Sequence, residues 1–212
     1  MGEFVTATLE TLQMVVFASL FALIMGLPLG LWLTITKPGG IRENRSVYHV
    51  LDLLINLLRS FPFMVLMIVL FPLARFIIGK TYGTTAAIVP LAIAAAPFVA
   101  RIMEQSINEV DKGVIEAATA MGSRPRQIIL RVLLPEALPS IVSGITITII
   151  NVIGYSAMAG AIGGGGLGDL AVRYGLHRRS PRELWIAVII LIAIVQIVQI
   201  VGDRISRAID KR

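Results

Sequence analysis

Between Ala137 and Gly168 lie 32 consecutive residues without a charged side chain. Three more runs share this property: Thr11–Thr36 with 26 residues, Thr81–Ala100 with 20 and Leu184–Gly202 with 19. A fifth, Ser60–Ala74, has 15 and continues an amphipathic stretch that begins near Val47. About 20 apolar residues of helix cross the hydrocarbon layer of a bilayer. The 212-residue chain is 56% hydrophobic and only 15% charged, too little polar surface to dress such runs for water. They predict an all-α integral membrane protein, one transmembrane domain over 1–212, with spans near 11–36, 47–78, 81–103, 137–165 and 184–203.

The ends of the chain and its charges refine this. Residues 1–10 carry Glu3 and Glu10 and no Lys or Arg, so no cleavable signal peptide is expected there. With no cysteine, disulfides and thiolate metal sites are excluded. His49 and His177 lie outside the apolar runs and have no metal-ligand spacing, so neither a metal site nor a membrane enzyme is expected. Five spans place the two termini on opposite sides, and Lys and Arg mark the cytoplasmic side. An outside N-terminus puts twelve basic residues inside: Lys37, Arg42, Arg45, Arg101, Lys112, Arg124, Arg126, Arg131, Arg204, Arg207, Lys211 and Arg212. Six then lie outside, Arg75, Lys80, Arg173, Arg178, Arg179 and Arg182, and the last four of these run against the rule. The expectation is N-terminus out, C-terminus in.

One stretch raises the question of nucleotide binding. Residues 74–81, ARFIIGKT, end in the Gly-Lys-Thr of a phosphate loop. Such a loop needs a preceding strand and a glycine-rich turn whose N–H groups cradle phosphate. Here VLFPLARFII closes a span, and Ile77 and Ile78 stand where glycines belong. The likeness is read as chance, so any ATP that drives this chain is bound by another.

The longest break in the apolar pattern is 104–136, EQSINEVDKGVIEAATAMGSRPRQIILRVLLPE, on the expected cytoplasmic side. Asp111 suits the N-cap of a short helix over Gly113–Met121, and Gly122 suits the left-handed position that ends it. Ser123 is expected to cap a second helix with Pro125 in its first turn, and Pro135 to stop it. That helix is expected to turn Ile128, Ile129, Val132 and Leu133 outward, while Ala117 and Ala118 keep the first one slim. Helices below about 12–15 residues are marginal alone, so a membrane root or a docking partner must hold them.

Two polar stripes and a glycine run complete the candidates. Arg45, His49, Asp52, Asn56 and Arg59 share one face of a helix before Pro62, which is expected to kink the chain. They suit either a helix at the cytoplasmic interface or a face toward the bundle, with Arg59 lining an aqueous path. Gly144, Thr148, Asn151, Tyr155 and Met158 form a small and polar face on the fourth span, suited to helix packing, to a path at a dimer axis, or to both. Gly160, Gly163, Gly164, Gly165, Gly166 and Gly168 cannot sustain a helix, since each costs about 0.8–1.0 kcal/mol relative to Ala. Unwound, tightly packed backbone facing protein or water is expected there, as a gate, a docking surface or a plain loop.

The island carries a resemblance. Glu116-Ala117-Ala118, then Gly122, then Val132-x-Leu134-Pro135, resembles the EAA loop of ATP-binding-cassette importer permeases, with Val132 where that family has Ile. RSFPF (59–63), AAIVPLAIAAAPFVARIME (86–104), LLPEALP (133–139) and GYSAMAGAIGGGGLGDL (154–170) extend the likeness over the chain, to the methionine-uptake branch of that family. The resemblance implies a homodimer in the bacterial inner membrane, five spans per subunit and two short cytoplasmic coupling helices. It also implies two copies of a separate ATPase, which binds ATP and Mg, and an external methionine-binding protein. By the same resemblance Glu116, Ala117, Ala118, Gly122, Arg126, Leu134 and Pro135 couple to the ATPase. Arg59, Thr148, Asn151, Tyr155, Ser156, Met158, Gly164 and Gly165 are the candidates for path or gate. L-methionine is the implied cargo; D-methionine, another amino acid or another small polar solute stays open. An ion-coupled carrier is the rival, with Asp52 the one acidic residue near an apolar run. A channel is a weaker alternative, resting on GYSA and the glycines.

Overall fold

The computed structural model describes residues 2–210, and Met1, Lys211 and Arg212 lie outside it. The last two belong to the basic residues assigned above to the cytoplasmic side. Among the described residues every regular element is helical. The long helices are α1 (Gly2–Thr36), α4 (Thr84–Asn108), α7 (Leu134–Ala159) and α9 (Pro181–Ile209). Between them lie α2 (Arg45–Ser60), α3 (Phe63–Ile78), α5 (Lys112–Ala120), α6 (Pro125–Ile128) and α8 (Gly166–Val172). Among the described residues four helical runs are long and apolar enough to cross a membrane, and the pair α2–α3 makes a fifth unit, bent by 107°.

The core is the crossing of α1 with α4. Met14, Ala18, Ala22, Gly26 and Gly30 recur every fourth residue and put one narrow stripe of α1 against its neighbour. A Cβ on Gly26 would sit 2.5 Å from the Ala96 carbonyl oxygen, and one on Gly30 2.3 Å from that of Ala100. Lipid gives no hydrophobic push between helices, so this backbone-to-backbone fit is what holds them. α9, at the other extreme, fully buries only Ala187 and Gly202 within the chain, with Leu191, Ile194, Val195 and Val198 partly buried on the core. Gly202 again makes room, because a Cβ there would meet the Thr146 hydroxyl oxygen of α7 at 2.1 Å.

The second expected span, 47–78, is divided. Phe61 and Pro62 are extended between α2 and α3, so proline does more than kink the helix. α3 alone has 16 residues, about 24 Å of rise against a hydrocarbon core of about 30 Å. α2 turns Val50, Leu53, Leu54 and Leu57 outward, the apolar face of a helix that can lie in the interface.

Pro135 does not stop the helix before it. From Pro125 the chain stays helical through a π turn, Ile129–Leu133, into α7, with Pro135 in α7's first turn and Pro139 inside it. Proline has no N–H to give, and the wider turn lets the Leu134 N–H reach back to the Ile129 carbonyl instead.

Replacing Gly30 with valine is expected to force α1 off α4 and destabilise the chain by about 1–3 kcal/mol, the range of overpacked cores. Thermal unfolding of the detergent-solubilised protein, followed by circular dichroism, checks this; an unchanged midpoint would show that the contact does not hold the fold.

Candidate functional site

The polar island folds as an elbow. Asp111 caps α5, its Oδ1 accepting from the Gly113 N–H at 2.6 Å. At the far end Gly122 has φ +77°. The Gly122 N–H bonds the Thr119 carbonyl at 2.9 Å and the Ser123 N–H bonds that of Ala118 at 3.1 Å. This is the Schellman arrangement, and it needs a left-handed residue at Gly122. The cap of α6 is one residue later than expected: Arg124, not Ser123, precedes the helix, and its N–H is bonded by the Gln127 side chain at 2.8 Å. Pro125 then occupies the first helical position, where its missing N–H costs nothing.

The apolar face of α6 and the π turn points inward, contrary to expectation. Ile128 and Leu133 are buried with Met103, Ile107, Val110, Ala118, Ala137 and Ile141, and Ile129 and Val132 pack against that cluster. Two helices too short to stand alone thereby acquire a root in α4 and α7. Ala118 serves this root, its small side chain letting α5 lie close, whereas Glu116, Ala117, Gly122, Arg126 and Pro135 are exposed and Leu134 is half-buried. The loop 37–43 runs beside the elbow, and a groove of about 450 Å³ between them is lined by Lys37, Gly39, Asn108, Lys112 and Glu116. In that loop Glu43 accepts from Arg45 at 2.9 Å, and this bond, with one from the Gly39 N–H, holds its carboxyl below the usual range.

At the opposite end of α7 the glycines form a hairpin. The helix passes through a π turn, Gly160–Gly164, reverses at Gly163 with φ +96°, and starts α8 after Gly165 at φ +79°. The two limbs touch: a Cβ on Gly168 would lie 2.2 Å from the Ala157 carbonyl oxygen, and one on Gly160 2.5 Å from the Asp169 nitrogen. The segment is therefore both unwound and tightly packed. Its freed backbone groups find partners elsewhere. The Gly166 N–H donates to Glu10 Oε2 at 2.7 Å, the Leu167 N–H to Thr11 Oγ1 at 2.9 Å, and the Gly163 carbonyl accepts from the Gly83 N–H at 2.8 Å. Nothing in the sequence singled out Glu10 and Thr11 for this; a lone carboxylate at the edge of an apolar run was the available signal.

The stripe on α7 keeps its common side, but its neighbours change along it. Gly144 lies under Ile102 of α4, Thr148 is buried and donates to the Gly144 carbonyl at 2.9 Å, and Ser156 is buried with a 2.7 Å bond to the Ile153 carbonyl. Tyr155 stacks on Phe63 of α3, ring centroids 4.5 Å apart. Asn151 is half-buried, and only toward the hairpin does the face open, at Gly154 and Met158. Gly164 is buried and Gly165 half-buried, within 3.1 Å of Thr84 Oγ1 for a Cβ placed there.

The α2 stripe is divided too. Asp52 and Asn56 face α4, where Arg101 reaches Asp52, Asn56 at 2.8 Å and Glu104 at 2.6 Å. His49 packs on the Tyr48 ring, and Arg59 is exposed at the end of α2. Arg101, counted from sequence as a loop charge, is thus the pivot of a half-buried lock between α2 and α4. The Gly-Lys-Thr stretch lacks the strand-to-helix setting of a phosphate loop: Gly79 ends α3 in the left-handed conformation, its N–H bonded to the Arg75 carbonyl at 2.8 Å, and a helix rather than a strand precedes it.

Comparison with known proteins bears on all of this. Residues 26–212 match the family described as binding-protein-dependent transport system inner membrane component. A "probable D-methionine transport system permease protein MetI" of Vibrio cholerae is 49% identical over 98% of this chain and 92% of its own length. The "methionine import system permease protein MetP" of Bacillus subtilis is 45% identical over 85% of this chain and 81% of its own. A solved structure of the MetNI methionine ABC transporter in inward-facing conformations contains a chain that superposes with a TM-score of 0.97 at 42% identity, covering 100% of this chain and 98% of that one. An amino acid ABC transporter solved with histidines shares the fold, with a TM-score of 0.82 at 22% identity. An elbow rooted in the bundle at one end of α7, a glycine hairpin at the other and these likenesses agree: the chain belongs to the binding-protein-dependent transport system inner membrane components.

Proposed function

We propose that two copies of this chain form the path through which an ATP-driven importer carries methionine across the inner membrane. The permease is not itself a catalyst. A separate cytoplasmic ATPase, two copies per transporter, binds ATP and Mg and takes the exposed edge of the elbow, Glu116, Ala117, Gly122 and Arg126, into a groove. An external binding protein delivers the amino acid. The relatives named above are methionine permeases, and that supports the cargo; the spans themselves select for no side chain.

The observation that carries the reading is the continuity of helix from the elbow to the hairpin. From Pro125 to Ala159 the backbone is helical without a break, about 50 Å of rise. A displacement of the elbow is therefore passed along α7 to Asn151, Gly154, Tyr155 and Met158, and on to Gly164 and Gly165. The open face at Gly154 and Met158 suits an axis shared with the second copy. Asp52, which an ion-coupled carrier would need free, is committed to Arg101, and this counts against that rival. The N-terminus faces out and the C-terminus in, because the elbow must meet its ATPase in the cytoplasm and most basic residues lie on that side.

Gly122→Val is the direct test of the lever. No atom crowds Gly122, so the substitution strains only the left-handed backbone, at a cost of about 1–2 kcal/mol or more. Radiolabelled methionine uptake into vesicles holding permease, ATPase and binding protein is expected to fall about 5- to 30-fold, the equivalent of that strain, while membrane insertion is unchanged. Normal uptake would remove the elbow from the mechanism.

The chain has no cysteine, so single cysteines report cleanly. Met158→Cys is expected to cross-link copy to copy in the assembled transporter, and Thr148→Cys, buried within its own chain, is not. The reverse pattern on denaturing gels would move the axis off the Met158 face.

A further inference from the structure

The basic loop that breaks the charge rule has a groove beneath it. Between the first turns of α1 and α9 lies a cleft of about 530 Å³ walled by Phe4, Val5 and Leu9 on one side and Ile186 and Ile190 on the other, with Arg182 at its mouth. Both walls belong to helices apolar enough to span the membrane. The wall is greasy, and a guanidinium, always charged and well shaped for phosphate oxygens, stands at one end. That pairing of an apolar slot with a cation at its rim matches a phospholipid: acyl chain along the slot, phosphate at the mouth.

The charges around the mouth favour an anionic headgroup over a zwitterionic one. Arg173 is neutralised by Asp169, and Arg178 lies over the Tyr174 ring, 4.9 Å from its centroid. Arg179 and Arg182 have no ion pair within hydrogen-bonding reach among the described residues. Two carboxylates lie nearby, and both are engaged: Glu183, which lines the groove, accepts from the Ser180 hydroxyl, and Glu3, next to Phe4, accepts from the Tyr174 hydroxyl at 2.8 Å. Trp185, 62% exposed and three residues beyond Arg182, marks the depth at which aromatic rings sit at the headgroup level. We propose that the α1–α9 groove, with Arg182 at its rim, is a binding site for an anionic phospholipid. It uses only the membrane-spanning character of α1 and α9, so its failure leaves the transport reading untouched.

Trp185 also provides the probe. Trp32 and Trp185 are the two tryptophans, so Trp32→Phe in the full-length chain leaves one reporter beside the groove. The protein is reconstituted in phosphatidylcholine vesicles carrying brominated-acyl phosphatidylglycerol or brominated-acyl phosphatidylcholine at equal mole fraction. The anionic analogue is expected to quench Trp185 with about fivefold higher relative affinity, the worth of one basic residue at a lipid surface. Arg182→Gln is expected to bring the two analogues level, Arg182→Lys to keep the preference, and Arg75→Gln to leave it unchanged. Excess inorganic phosphate should not displace the lipid, because phosphate alone fills no slot. Equal quenching by both analogues, a preference that survives Arg182→Gln, displacement by free phosphate, or no quenching by either because a second copy covers the groove would each overturn the proposal.

Discussion

A backbone N–H or carbonyl left without a partner in hydrocarbon costs several kcal/mol, and the shape of this chain follows from where that cost is met. Three places among the described residues show how. At Phe61–Pro62 the chain turns by 107° between two helices, and α2 leaves the axis of α3. At Pro135 the missing donor is absorbed by a π turn, and the helix continues. At Gly163–Gly166 the helix reverses, and α1 supplies the acceptors through Glu10 and Thr11. The function assigned to each end of α7 depends on these repairs. An elbow is useful only if the helix beyond it is unbroken, and a glycine reversal survives only if something else satisfies it.

Small residues act in two distinct ways here. Along α1 they remove side chains so that two backbones touch, which gives rigidity: Gly26 and Gly30 sit against carbonyls of α4 with no room for a methyl group. At Gly122 no neighbour is near, and glycine is present for its left-handed φ alone. In the hairpin both reasons coincide, since Gly160 and Gly168 are crowded by backbone while Gly163 and Gly165 have positive φ. The same residue type therefore marks a clamp, a hinge and a crossing, and composition does not tell them apart.

That ambiguity explains what was legible in the sequence. The long helices α1, α4, α7 and α9 were, because charge-free runs report lipid directly, whereas the second expected span proved to be two helices. Legible too were the Asp111 cap and the Gly122 end of α5, because both are local and depend on neighbours within a few residues. Three features were not. The inward turn of Ile128 and Leu133 depends on Met103 and Ile107 of α4, which no local pattern reveals. The π turn before Pro135 replaces a stop that the proline alone predicts. The partners of the hairpin lie 156 residues away in α1, and a single carboxylate carries no periodicity to announce them. The resemblance to a known family located the elbow, but its packing was visible only in three dimensions.

The Arg101 lock shows how the divided second span fits this scheme. An amphipathic α2, set at 107° to α3, offers lipid an apolar face, and such a contact does not fix its rotation. Asp52 and Asn56 on Arg101, with Glu104 beside it, fix that rotation from the other face. The pairs are half-buried, where charge-assisted bonds are stronger than at an open surface and where removing one partner strands the other. Arg101 also lies one residue beyond Ala100, the contact of Gly30 on α1. The clamp between α1 and α4 and the lock between α2 and α4 thus meet on one turn of α4. The elbow's root in Met103 and Ile107 begins within the next two turns. α4 is the common member against which α2, α5 and α7 are each positioned.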